Sequence, residues 1–260
     1  MLFYMLQKYP NIKKAIINDI NIHLVKTYTI IRNSPDKLIK TLTDLQAAYL
    51  KLKSEDTRKE FYLESREKFN NGNLNDVEDA SFLIFLNRTC FNGLYRENSK
   101  GKFNVPFGKY PNPTICDAET ILADSELLQK VQILHGDFSQ VYSYRDDYTF
   151  VYFDPPYRPL DATSSFNSYV KESFNDDEQK RLQALFSEFS NEGCHVLLSN
   201  SDGKNRNEND MFFDSLYDGF YIERVLAKRS INANPSKRGK LTELLIRNYM
   251  EVQGDPQTLF

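Results

Sequence analysis

The chain has 260 residues, of which 40% are hydrophobic and 27% charged, enough to bury one substantial core with a smaller lobe beside it. No window approaches the ~20 consecutive apolar residues of a membrane helix, and the opening MLFYMLQKYP is too short and wrongly flanked for a secretory leader, so neither a membrane nor an exported protein is expected. The formal net charge of −3 speaks against a nucleic-acid partner only until its placement is considered.

In chain order, Met1 to Tyr9 reads as the end of an amphipathic helix, and Lys14 to Asn18 as a short buried strand closed by Asp19. From Asn21 to about Phe69 apolar residues recur at helical spacing (Leu38, Leu42, Leu45, Tyr49, Leu52), with Ser34-Pro35-Asp36 as a helix start. Asn70 to Asn73 is a turn, and Val77 to about Thr89 another helix. The segment NGLYRENSKGKFNVPFGKYPNP reads as a loop and hairpin. A polar helix near Asp117 to Gln129 precedes the strand Val131 to Leu134, which runs into Gly136-Asp137-Phe138. Thr149 to Phe153 is a near-continuous apolar run ending in Asp154-Pro155-Pro156-Tyr157. Asp176 to Asn191 is helical, Cys194 to Leu198 a strand ending in Ser199-Asn200, Asn209 to Tyr217 helical, and Tyr221 to Ala227 and Leu241 to Asn248 a final pair of strands. Strands alternating with helices call for a mainly parallel sheet covered on both faces.

The charge is unevenly spread. Arg88 to Tyr110 holds five lysines and arginines against one glutamate, and Arg224 to Arg247 seven against one, so the rest of the chain is acidic. Two basic segments on an acidic body suit a local phosphate-binding face. Three widely spaced cysteines (Cys90, Cys116, Cys194) and three histidines offer neither a disulfide framework nor a metal site, which predicts a reducing, cytoplasmic setting without metal.

In an open α/β sheet ligands sit beyond the carboxyl ends of the strands. Asp19, Asp137 and Asp154 each close a strand and are expected at one edge, with Asp19 placed to accept from the two hydroxyls of a ribose. In Asp154-Pro155-Pro156-Tyr157 two consecutive prolines remove two N–H donors and fix φ, leaving a stiff loop that accepts hydrogen bonds and donates few. An exocyclic amine on a planar base fits it. The Asp154 carboxylate and the Pro155 carbonyl accept hydrogen bonds from its two N–H groups while Tyr157 stacks on the ring, and the nitrogen becomes more nucleophilic.

With these residues the sequence resembles the Dam-type (D12 class, alpha-group) DNA adenine-N6 methyltransferases. The resemblance runs from Met1 to about Tyr249 and includes, besides the tetrapeptide, Asn87 to Tyr110, the spacing of Phe166, Tyr169 and Phe174, Leu198-Ser199-Asn200, and Arg229 to Leu245. It implies a Rossmann-like S-adenosylmethionine-dependent sheet with an inserted, mainly helical target-recognition lobe carrying a β-hairpin. Residues 1–35 and 131–260 would be catalytic and 36–130 the inserted lobe. It implies the cofactor S-adenosylmethionine, with Asp19 on its ribose, Asp137 and Phe138 near its adenine, and Asp154 between its methionine end and the target base. Double-stranded DNA would be the partner of a monomeric enzyme. Phe91, Asn92, Leu94 and Arg96 match the hairpin pushed into DNA, Asn92 near the site vacated by a flipped adenine. Leu94 and Arg96 match readers of an outer base pair, a pairing suited to a thymine methyl and a guanine, and Tyr110 a flanking contact. Lys100, Lys102, Lys237, Arg238 and Lys240 would contact phosphates. The expected site is GATC.

The family places a W-x-G-x-K segment and a Gly-rich F-x-G-x-G loop ahead of the helix that opens this chain, whereas the first glycine here is Gly72. A truncated reading frame, weak or inactive until the missing strand is supplied, is the corresponding expectation, with a DNA-binding remnant as the alternative. A second alternative is a methyltransferase acting on a protein amide or RNA; the basic loop at Asn87 to Tyr110 discriminates, because a protein-directed enzyme has no need of it.

Overall fold

The computed structural model describes residues 1–146, 148–160, 174–227 and 241–250. They group into two compact units, Met1–Phe138 and Ser139–Phe260. Among the described residues no helix is long and apolar enough to cross a membrane.

The first unit contains α1 (Leu2–Lys8), β1 (Ala15–Asp19), α2 (Ile22–Asn33), α3 (Pro35–Leu50), α4 (Glu55–Asn71), α5 (Asp76–Thr89), α6 (Ala118–Leu128) and β2 (Val131–His135). Local chemistry sets the helix ends. Asn21 accepts from the His23 and Leu24 amides, Pro35 opens α3, Ser54 accepts from the Thr57 amide, and Asn75 with Glu78 forms a reciprocal cap on α5. Apolar spacing alone ran unbroken from α3 into α4; the break comes from Ser54 and the two acids that follow it, Glu55 and Asp56. Helix α4 also outlasts the turn expected at Asn70, because the Asn70 amide is committed to the Phe103 backbone (3.0 and 2.8 Å), and Gly72 (φ 72°) ends it instead. Leu38, Leu42, Tyr49, Tyr62, Phe85 and Leu86 are wholly buried and form the centre of this core. β1 and β2 pair in parallel, from Ala15 opposite Val131 to Asp19 opposite His135.

The second unit contains β3 (Phe150–Phe153), α7 (Asp176–Asn191), β4 (His195–Ser201), α8 (Phe212–Leu216), β5 (Tyr221–Ala227) and β6 (Leu241–Arg247). Its sheet runs β3-β4-β6-β5, with β3 and β4 parallel and β6 antiparallel to both its neighbours. The connection from β5 to β6 has no helical sequence pattern, which suits antiparallel pairing of the two. One mainly parallel sheet was the expectation; among the described residues the strands form two sheets, a parallel pair and a mixed four-stranded one. β4 runs past the expected Leu198 to Ser201, since Asn200 and Ser201 still face partners on β6, Leu244 and Glu243. α8 starts later than its pattern because Asp210 accepts from the Phe212 amide and holds the preceding residues in a turn.

Candidate active site and nucleic-acid interface

Parallel pairing of β1 and β2 carries Asp19 and the Gly136-Asp137-Phe138 turn to the same carboxyl-end edge. The Asn18 amide donates to the Gly136 and Asp137 carbonyls (3.0 and 3.3 Å), and the Gly136 amide to the Asp19 carbonyl (3.0 Å). Gly136 at φ 138° gives this turn a conformation that L side chains rarely adopt. An Asp19 carboxylate oxygen accepts from the Asn21 amide at 2.7 Å, and the Ile20 amide also stabilises the charged form. Burial raises the Asp19 pKa above the ordinary carboxylate range against the pull of Asn21 and His135. Beside it Ile20 is 67% exposed. A half-buried carboxylate next to bare aliphatic surface suits a ribose and its attached base.

At the end of β3, Phe153 is buried and Asp154 exposed. Ser199, the Oγ of which donates to Asp154 Oδ1 at 2.9 Å, lies 2.9 Å from the Tyr152 hydroxyl. Burial pushes the Tyr157 phenol up, with the Ser199 hydroxyl pulling the other way, so it stays neutral at working pH. Behind the loop, Gln179 Nε2 donates to the Pro156 carbonyl (3.2 Å) and Gln179 Oε1 accepts from Asn200 Nδ2 (3.2 Å). Asn200 Oδ1 accepts from the Arg158 amide (3.0 Å), and Ser201 Oγ donates to the Arg158 carbonyl (2.5 Å). The Pro155 carbonyl accepts no hydrogen bond among the described residues. The Arg158 guanidinium bridges Asp176 (2.8 and 3.1 Å) and Asp210 (3.0 Å) and lies 4.2 Å from the Phe212 ring centre, beside a cavity of about 390 Å³.

The basic segment after α5 is a hairpin in outline only. Its pairing reduces to two antiparallel bridges, Cys90 with Phe107 and Glu97 with Phe103. The returning limb spends backbone groups on α4, where the Tyr62 hydroxyl (2.7 Å) and Arg66 (3.2 Å) donate to the Val105 carbonyl, and Pro106 has no N–H to offer. Phe103, Val105 and Phe107 anchor that limb in the core. On the outgoing limb, close to the hairpin base, Asn92 and Gly93 take positive φ (55° and 61°) with a hydrogen bond from the Leu94 amide to the Phe91 carbonyl, the backbone of a tight Asn-Gly turn. The Asn87 amide donates to the Gly93 carbonyl at 2.7 Å. Phe91 is 51% and Leu94 38% exposed, unusual for such side chains in an isolated domain. Arg96 is tied to Asn104 through Nε (2.6 Å) and a terminal nitrogen (3.1 Å), Tyr110 is exposed with its carbonyl held by the Tyr49 hydroxyl, and Lys100 and Lys102 are exposed.

The structure thus brings Asp19, Asp137 and Phe138 together at one edge, forms Asp154 to Tyr157 into one loop, and gathers Phe91, Asn92, Leu94 and Arg96 at one turn and its flank. Lys237, Arg238, Lys240, Phe166 and Tyr169 lie outside the described residues; Phe174 is half-buried just ahead of α7. Sequence reasoning assigned no role to Ser199, Asn200, Arg158 or Gln179 at the loop, or to Asn21 beside Asp19. The available signal was Gln179 on the stripe it shares with Leu182, Leu185, Phe186 and Phe189, all buried, where a polar residue has no reason to be unless bonded.

A family model described as D12 class N6 adenine-specific DNA methyltransferase matches residues 1–231. The chain is 49% identical over 253 residues to the type II methyltransferase M.MjaIII of Methanocaldococcus jannaschii, covering 96% of this chain and 84% of that protein. It is 40% identical to the type II methyltransferase M1.LlaDCHI of Lactococcus lactis subsp. cremoris (91% and 80% covered). To the DNA adenine methylase of Escherichia coli K12 it is 32% identical (89% and 78% covered).

Proposed function

The chain belongs to the D12 class of N6 adenine-specific DNA methyltransferases, and from that premise we propose that it methylates N6 of an adenine swung out of duplex DNA, with S-adenosylmethionine as donor and GATC as the site. The observation that carries this reading is the Asp154-to-Tyr157 loop, which offers a carboxylate and an open carbonyl and is stiffened by two prolines. The adenine amine would donate one hydrogen bond to Asp154 and one to the Pro155 carbonyl, drawing its lone pair out of the ring and toward the methyl group; as the N–C bond forms and the S–C bond breaks, one N–H proton leaves to solvent and the other stays on N6. Tyr157, a neutral phenol, would stack on the base.

The half-buried Asp19 carboxylate and the exposed Ile20 fit a cofactor's ribose and base, with Asp137 and Phe138 lining its adenine. The bound cofactor supplies a methyl group on a cationic sulfur, so the protein's part is placement and activation of the amine. Residues 1–35 and 131–260 would form the catalytic domain of a Rossmann-like fold and 36–130 the inserted target-recognition lobe. There Phe91 and Asn92 would fill the space the adenine leaves, Leu94 and Arg96 read an outer base pair, and Tyr110, Lys100 and Lys102 contact the flanks, with Lys237 and Arg238 on phosphates. The names of its relatives suit a modification enzyme paired with a restriction activity; a monomer in the cytoplasm is the corresponding proposal.

A GATC duplex with 2-aminopurine at the adenine position tests this. Fluorescence rising on addition of protein and cofactor, with no rise on a scrambled duplex, is the expected result; equal signals on both would overturn the site assignment.

A further inference from the structure

The double proline that stiffens the catalytic loop also strips it of amide donors, so the strand ladder cannot hold it and something outside must. The amide side chains of Gln179 and Asn200, neither exposed at all, lie where that hold is needed. Their orientation follows from the donors around them. Two backbone amides, those of Arg158 (3.0 Å) and Ser201 (2.9 Å), converge on one end of Asn200, which must therefore be its oxygen. The Asn200 nitrogen then faces Gln179, which must answer with its oxygen and turn its own nitrogen to the Pro156 carbonyl. The relay grips the loop at two backbone groups, one on each side of Tyr157. It leaves unbonded, among the described residues, the Pro155 carbonyl, the group assigned to the amine.

We propose that Gln179 is a positioning residue for methyl transfer: through Asn200 and the Pro156 carbonyl it fixes the loop so that the Pro155 carbonyl and Tyr157 meet the target base in register. The proposal rests on the function proposed above, and it accounts for a polar side chain on the buried stripe of α7. Gln179 touches no substrate; it acts through the loop.

The test compares the wild-type chain with Gln179→Met, similar in volume but unable to bond, and Gln179→Glu, which turns an acceptor toward the Pro156 carbonyl. Three quantities are read: the single-turnover methylation rate on a GATC duplex, the Kd for DNA and cofactor, and amide exchange at Arg158 against that at Leu198 and Ile246 on the central strands. The expected result for Gln179→Met is a rate about 10- to 100-fold lower, both Kd values within about twofold of wild type, and faster exchange at Arg158 alone. Gln179→Glu should lose at least as much. Wild-type rate and exchange in Gln179→Met would overturn the proposal, as would exchange rising equally at Leu198 and Ile246, which marks a merely structural role. If Gln179→Met does not fold, Gln179→Glu decides by the same criteria. A wild-type chain that methylates no adenine would refute the functional reading instead, and Arg158 exchange would still decide the relay.

Discussion

Removing the Ser199 hydroxyl tests the placement of the Asp154 carboxylate and also withdraws a contact from the Tyr157 phenol. Ser199 is 4% exposed and has one proton, which goes to Asp154 Oδ1 at 2.9 Å, so the Tyr152 hydroxyl 2.9 Å away is the donor to Ser199. In Ser199→Ala the carboxylate keeps its charge and loses its anchor. A hydrogen bond to a charged group contributes about 1.5–3 kcal/mol, and because Asp154 is exposed and water can replace part of it, about 1–2 kcal/mol is the fair figure here. At 1.36 kcal/mol per factor of ten this is a fall of about 5- to 30-fold in the methyl-transfer rate. Single-turnover transfer of a labelled methyl group at saturating DNA and cofactor measures it. Tyr152→Phe, which leaves the Ser199 proton on Asp154, should stay within about threefold of wild type. A Ser199→Ala rate within twofold of wild type, or a loss confined to DNA affinity, would refute the reasoning.

Because Asp19 is held protonated to higher pH in the folded chain than in the unfolded one, the native state binds the extra proton and stability falls as pH rises through that interval. Asp19→Asn should therefore raise the melting temperature at pH 7.5, a gain that fades as pH drops into the ordinary carboxylate range, while calorimetry shows cofactor affinity down at least ~10-fold. A side chain at Gly108 would place Cβ 2.4 Å from the Cys90 carbonyl oxygen, so Gly108→Ala should destabilise the hairpin base by about 1–3 kcal/mol, read as a lower melting temperature and weaker DNA binding. Arg96→Ala should cost about 1–3 kcal/mol of discrimination at one outer base pair in binding to single-substituted duplexes. Lys100→Ala should weaken binding to every sequence alike and lower the salt slope by about one.

Much of the chemistry was legible because the family's tetrapeptide is contiguous in the chain and follows a strand that the apolar run marks plainly. Helices α3, α5 and α7 were legible through spacing, as Leu38, Leu42 and Tyr49 show by their complete burial. What escaped depends on partners distant in sequence. The end of α4 moved because Asn70 bonds Phe103, and the hairpin lost its ladder because Tyr62 and Arg66 claim Val105. Ser199 and Asn200 read as the end of a strand, yet their side chains serve a loop more than forty residues earlier. Strand pairing was the least legible: a strand's own residues announce burial but not which neighbour it bonds.

The central claim is that this chain places a methyl group on adenine N6 through the Asp154 loop. Incubating it with S-adenosylmethionine and either a GATC or a scrambled duplex, then digesting the DNA and looking for N6-methyladenine by mass spectrometry, tests that claim most directly. N6-methyladenine should form on the GATC duplex alone and vanish in Asp154→Ala; methylation that survives Asp154→Ala, or no methylation of either duplex, would overturn the role assigned to the Asp154 loop.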